Sequence, residues 1–301
     1  MICKKTTSKS QPERLGGGNY QIMEKINTKI YNQLAIIYNI KDKKMKKNLL
    51  VAALLSVAAT GSMAQSAFQG FYGQVATGYE SNQVGSGSGT KTESNPANGT
   101  TDSISSPSQS FGGAPIVLGL GYNFSVAPQW LLGVGVDYSL LSQTSSSFSS
   151  TITGGDVPAG TTFNGSTVKA ANRLNIFVTP GYAIDKDKLV YLKAGYSSVQ
   201  ATFNPGNTIT LPGFGTFTNA EVGQNAASSQ SKTVGGYIIG LGYKQMITNG
   251  LYAFGEANYM GYSKPSFSST ASYTDGTGTF TSNTSASLSA YQLLVGVGYK
   301  F

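Results

Sequence analysis

Histidine is absent from all 301 residues, cysteine occurs once, at Cys3, and tryptophan once, at Trp130. Residues 65–301 therefore have no disulfide framework, no imidazole or thiolate spacing for a metal, and no cysteine to carry a lipid anchor. The missing histidine also removes the side chain that most often serves as general base or proton shuttle near neutral pH. Charge is scarce, at 11% of residues. Beyond residue 65, only Asp185 and Asp187 are close acidic neighbours, and both lie beside Lys186 and Lys188, where a turn role is expected. No run approaches the 18 or more apolar residues of a spanning helix. No 3.6-residue periodicity follows residue 65. The glycines of Gly85-Ser-Gly-Ser-Gly89 fit no phosphate-loop pattern and read as flexible loop. These absences exclude a recognisable catalytic site, cofactor site or metal site.

The net charge of +8 suggests an acidic partner only until it is divided along the chain. Residues 1–64 carry eleven Lys or Arg against three Asp or Glu, and residues 65–301 carry ten of each. The basic excess is N-terminal and gives no reason to expect nucleic acid. Within it, Met45-Lys46-Lys47-Asn48 is a short basic stretch, Leu49 to Ala59 an eleven-residue apolar run, and Thr60 to Ala64 a small-residue ending. That is the layout of a secretory signal peptide over 45–64, cleaved between Ala64 and Gln65. Residues 1–44 show no periodicity and read as an over-extended, disordered N-terminus ahead of the true start at Met45.

Residues 65–301 alternate between two textures. Period-two alternation of apolar and small residues marks strands with two unlike faces, and runs of Ser, Thr, Gly and Asn mark loops. Strands are expected at 68–80, 111–124, 130–141, 171–184, 189–198, 232–247, 251–262 and 288–301. Ser125–Gln129, Asp185–Lys188 and Thr248–Gly250 are short connections, whereas 81–110, 142–170, 199–231 and 263–287 are long. The expected fold is all-β: an eight-stranded antiparallel up-and-down transmembrane barrel, with short turns at one end and long loops at the other. In hydrocarbon each unpaired backbone N–H or C=O costs several kcal/mol, so a spanning sheet must close on itself.

Alternation alone does not say which face points outward. A soluble, lipocalin-like barrel would put its apolar face inside. Here Trp130, Leu132, Val134, Val136, Tyr138 and Leu140 oppose Gly133, Gly135, Asp137 and Ser139. Leu174, Ile176 and Val178 oppose Arg173, Asn175 and Thr179. A face of Gly, Ser, Asn and charge suits a narrow polar lumen. Aromatics near strand ends, such as Tyr291 with Tyr299, are eight residues apart. At about 3.4 Å each and a tilt of about 40° they span about 20 Å, near the roughly 25 Å apolar band of such barrels. In 251–262 the assignment stays open, because Tyr252 and Phe254 share a face with Glu256.

The last strand, Tyr291 to Phe301 (YQLLVGVGYKF), resembles the C-terminal signature of bacterial outer-membrane barrels, and Phe68 to Tyr79 resembles the opening strand of the OmpA-like and opacity-protein superfamily. The resemblance implies a Gram-negative outer-membrane protein of the porin-family type, with Tyr299 and Phe301 read by the barrel-assembly machinery. Both termini would be periplasmic and the loops extracellular. Unlike full-length OmpA, the chain is expected to carry no peptidoglycan-binding domain.

The charges expected to face the lumen are Asp137, Arg173, Lys193, Lys244 and Glu256, with Lys300 near the rim. An eight-stranded interior is just wide enough to be filled by side chains, and a buried charge needs a partner. Lys244 and Glu256 flank the Thr248–Gly250 turn as diagonal neighbours and are the specific pair expected. The functional expectation is a non-enzymatic barrel with a structural or surface-interaction, adhesin-like role. The alternatives are a small porin-like channel for ions or small solutes and, less favoured, a lateral route for hydrophobic molecules. Its partners would be outer-membrane lipid and a host surface or extracellular ligand met by the loops. Isolated loop aromatics (Phe148, Phe203, Phe214, Phe217 and Phe267) would anchor contacts or pack the loop bases.

Overall fold

The computed structural model describes residues 67–94, 99–154 and 157–301. The N-terminal extension, the signal segment 45–64 and the Ala64–Gln65 cleavage point lie outside the described residues.

The chain forms strands β1 (Gly70–Val84), β2 (Gly87–Ser94), β3 (Thr101–Ser106), β4 (Gln109–Gly113), β5 (Ile116–Ala127), β6 (Trp130–Ser139), β7 (Gln143–Thr144), β8 (Phe148–Thr153) and β9 (Thr162–Asp185). It continues with β10 (Lys188–Asn204), β11 (Thr208–Leu211), β12 (Gly215–Thr218), β13 (Gln230–Met246), β14 (Leu251–Tyr262), β15 (Ser266–Ser272), β16 (Thr279–Ser285) and β17 (Leu288–Lys300). Eight of these make a closed wall. Antiparallel pairing runs β1–β5–β6–β9–β10–β13–β14–β17 and returns from β17 to β1. Closure leaves no sheet edge in the wall, as a barrel in hydrocarbon requires.

The eight expected strands are all present, with shifted ends. The expected strand 111–124 is two, because Pro115 lies between β4 and β5 and has no N–H to give a ladder. The greater difference is in the four long segments, read from composition as loops. They contain the whole of β2, β3, β7, β8, β11, β12, β15 and β16, and they lengthen β1, β9, β10 and β13. Gly85 to Gly89 is part of this order: a Cβ on Gly89 would run into the Asn283 backbone carbonyl of β16, so the close β2–β16 pairing needs glycine there.

These extra strands build a second storey above the wall. Its pairing runs β15–β16–β2–β3–β8, then to the first turns of β9, then β11 and β12, antiparallel throughout. Between β12 and β15 there is no ladder. The gap is drawn together by a single Gln224–Tyr273 bridge, with Asn225 N donating to Ser272 O at 3.0 Å and Thr274 N to Gly223 O at 2.8 Å.

Outward on the wall stand Leu118, Leu120, Leu132, Val136, Ile176, Val178, Leu192, Ile239, Leu241, Leu293, Val295 and Val297, all exposed. Aromatics frame this belt. At the short-turn end Trp130 meets Tyr182 at 5.1 Å and Tyr299 meets Phe301 at 5.3 Å. Toward the long-loop end Tyr259 meets Tyr291 at 4.9 Å and Tyr237 at 6.0 Å. In β14 the open assignment resolves inward: Tyr252, Phe254 and Glu256 are all buried in the lumen.

Candidate functional site: the barrel interior and the storey above it

Alternation along each wall strand sends every second side chain to the axis, and six of those are ionic. Lys193 of β10 bridges two carboxylates, with Nζ 2.6 Å from Asp137 Oδ2 and 2.8 Å from Glu256 Oε1. Neutral groups complete the cluster. Asn175 Nδ2 donates to Asp137 at 2.5 Å, Asn258 Nδ2 to Glu256 at 2.6 Å, and the Tyr191 hydroxyl to Glu256 at 2.8 Å. The ammonium also lies 4.0 Å from the centre of the Phe177 ring.

A second cluster lies nearer the long loops. Arg173 of β9 pairs with Glu80 and donates to Asn82 Oδ1 at 2.6 Å and to the Tyr262 hydroxyl at 2.9 Å. Glu80 also accepts from Asn82 at 2.9 Å and Gln292 at 2.7 Å. Glu80 was not among the expected lumen charges: it closes the expected first strand, whereas β1 continues to Val84 and carries Asn82 inward with it. The signal was the unbroken period-two spacing of Glu80, Asn82 and Val84.

The expected Lys244–Glu256 ion pair does not form. The register does make them diagonal neighbours, since Glu256 faces Gly242 and Lys244 faces Phe254. Glu256 is taken by Lys193, however, and Lys244 Nζ lies over the rings of Tyr72 at 4.0 Å, Tyr252 at 4.8 Å and Tyr191 at 5.3 Å. Cation–π attraction of this kind holds a desolvated ammonium, and Tyr191 links it to Glu256 through its hydroxyl. Glycines admit the rings: a Cβ on Gly121 would strike Tyr72, on Gly242 Tyr191, and on Gly298 Tyr252. Arg173, Lys193 and Lys244 thus balance Glu80, Asp137 and Glu256, all at most 5% exposed. Lys300 stands apart, at a cavity of about 320 Å³ near the short turns, lined also by Asp187, Met246 and Asn249.

Above the ions the interior changes character. Phe111, Val168, Ala170, Val199, Ala201, Val234 and Leu288 form an apolar layer, with Phe148, Phe203 and Phe267 packed on it. Three of the five loop aromatics therefore pack the base of the upper storey, while Phe214 is 73% exposed at the β11–β12 tip. Higher still, Lys91, only 2% exposed, meets Glu93 at 2.5 Å. Burial pushes the Glu93 carboxyl up, but the hydrogen bond and charge of Lys91, with a hydrogen bond from Tyr273, hold it below the usual carboxylate range. Tyr273 is pushed up to about 12, by burial and by its bond to Glu93.

This interior holds no group of three metal-binding side chains among the described residues. A wall closed through eight strands, polar within and apolar without, is the geometry of a membrane barrel. A family model described as the outer membrane protein beta-barrel domain matches residues 50–301. The chain belongs to this outer-membrane β-barrel family. The aromatic rows around the apolar belt are then the two interfacial girdles of an outer-membrane barrel.

Among solved structures, the chain is similar to the outer membrane protease OmpT of Escherichia coli, at 11% identity and a TM-score of 0.43, covering 81% of this chain and all of that one. It is similar also to OprG of Pseudomonas aeruginosa, at 14% identity and TM-score 0.39, covering 77% and 96%. A third is Ail, the attachment invasion locus protein of Yersinia pestis, at 13% identity and TM-score 0.32, covering 77% and 99%. A comparison with curated protein sequences finds no match.

Proposed function

We propose that this outer-membrane barrel is a non-enzymatic surface-interaction protein whose wall anchors and displays the upper storey. The observation that carries the reading is the ionic plug, Lys193 between Asp137 and Glu256 with Arg173 on Glu80 beside it. It fills the narrow interior of an eight-stranded wall, and long buried ion pairs drawn across the axis leave solutes no path. What then meets the surroundings is the β-rich storey built by the four long segments. In this reading that storey faces the exterior and the short turns face the periplasm, the usual disposition of long loops and short turns. The absence of histidine argues in the same direction, against hydrolysis.

Planar-bilayer recording on the refolded barrel tests the plug. The expected result is negligible steady current; a continuous ohmic conductance would replace this reading with a small porin. Orientation is tested by epitope tags on whole cells. A tag between Asp275 and Gly278 should bind antibody on intact cells, and one at Lys186 only after the outer membrane is opened.

A further inference from the structure

Inside the upper storey is a cavity of about 70 Å³, ringed by Ile104 of β3, Phe163 of β9, Phe203 of β10, Pro205 and Phe280 of β16, with serines between them. A second, of about 50 Å³, lies against it and is lined by Val84, Phe148, Val168, Phe267 and Leu288. Phe203 lines both, with its ring 6.1 Å from that of Phe267. A single water needs only about 10–15 Å³ by such a measure, so each void holds several heavy atoms. Protein interiors are otherwise close-packed, and voids lined mainly by apolar surface take up apolar guests. Here Ser269 Oγ and Asn219 Oδ1, both buried in the lining, have no hydrogen-bond partner among the described residues.

Three further features separate this pair of voids from a packing defect. The walls come from strands β3, β8, β9, β10, β15 and β16, so the cavity lies inside the storey rather than in one loop. Its floor is the apolar layer above the Arg173–Glu80 cluster, so it ends blindly and does not continue into the lumen. Its side has a door: Ala227 lines the cavity, and residues 225–229, between the Gln224 bridge and β13, form no ladder with any strand.

We infer that the upper storey is a binding site for one small, uncharged, mainly apolar molecule, entering beside Ala227 and seated against Phe163, Phe203 and Phe280. No ionic group lines either cavity, so a charged ligand would be left unpaired in an apolar site. The neighbouring serines can accept or donate one hydrogen bond, which fits an alcohol or a phenol better than a pure hydrocarbon. Phe203, as the partition, sets the length of molecule accepted.

The test uses the exported chain in lipid nanodiscs, with 4-fluorobenzyl alcohol as the probe followed by fluorine NMR against protein-free nanodiscs. Saturable binding is expected. Ser150→Leu and Thr284→Leu both fill the void, the first at the cost of the Ser106–Ser150 hydrogen bond and the second without it. Each should weaken binding by about tenfold or more, one decade being the scale of a single well-placed contact. Heat-dependent gel mobility verifies that the wall of each variant is folded. Phe203→Ala should join the voids and favour 4-(4-fluorophenyl)-1-butanol over the shorter probe, reversing the order of the parent protein. A probe signal equal to that of empty nanodiscs, or binding that neither filling variant changes, overturns the site. An unchanged length preference in Phe203→Ala overturns the role of Phe203. None of these results depends on whether the lumen conducts.

Discussion

The wall and the storey above it are built from the same strands with opposite polarity. In the lower part of β10, Leu192 and Tyr196 face outward and exposed while Lys193 and Ser197 are buried on the axis. A few residues on, the inward set becomes Val199, Ala201 and Phe203, and the outward set Gln200 and Thr202. β9 does the same in reverse, with Val168 and Ala170 inward before Arg173 and Asn175. Along β10 the alternation runs unbroken and only the chemistry of the two faces is exchanged, whereas β9 shifts its inward set by one residue at a bulge where Asn172 takes a φ of 52°. What decides the exchange is the medium outside, hydrocarbon around one stretch and water around the other.

The largest effect expected from breaking this contrast is in the plug. Lys193→Met leaves Asp137 and Glu256 buried beside each other without a cation, and losing one partner of a buried pair costs about 3–5 kcal/mol. Unfolding in urea by gel mobility should show it, and an unchanged midpoint would mean that water reaches the carboxylates.

Next comes the outer face. Val134→Arg points a cation at mid-belt lipid and should cost about 2–4 kcal/mol. Ser268→Arg, on the exposed face of β15, should fall within about 0.5 kcal/mol of the parent. Equal effects at the two sites would end the distinction between the two outer faces.

A smaller effect sharpens the comparison from the inside. Ile152, fully buried in the upper storey, should lose about 0.5–1.5 kcal/mol as Val, seen as faster proteolysis above the belt with the wall's gel shift intact.

The smallest is a pH effect. The Glu93 carboxyl titrates below its unfolded value, so its contribution is complete above about pH 4.3 and fades as pH falls through the folded value. Amide protection factors in β2 and its partner β16, taken against the intrinsic exchange rate at each pH, should fall modestly in acid, and Glu93→Gln should remove the dependence.

Much of the wall was legible because lipid imposes a strict rule on every second residue. Leu132, Ile176 and Val295 announce themselves by spacing alone. The upper storey was not, because its outward residues are Ser and Thr and its inward ones are few and scattered, such as Ile104, Ile152 and Phe280. Composition marked those stretches as loops, although β2 and β16 pair over seven residues. In the lumen the charged residues could be named, but not their partners. Lys244 and Glu256 are near in register, and only the angle at which each side chain leaves the wall gives Glu256 to Lys193 and Lys244 to the tyrosines. Nothing local in the sequence encodes that angle.

One dimension of β9 has a mechanical consequence. Its 24 residues form a single strand, a rod of about 80 Å at 3.4 Å per residue, or about 60 Å of height at a tilt near 40°. A bilayer with its headgroups is about 40–45 Å thick. The rod therefore stands clear of the lipid by about 15–20 Å, on a shaft that stays paired to β10 on both sides of the bulge at Asn172, where wall passes into storey. A force applied at the tip is carried directly into the hydrogen-bonded hoop of the wall, which makes the molecule a stiff mast rather than a tethered flag.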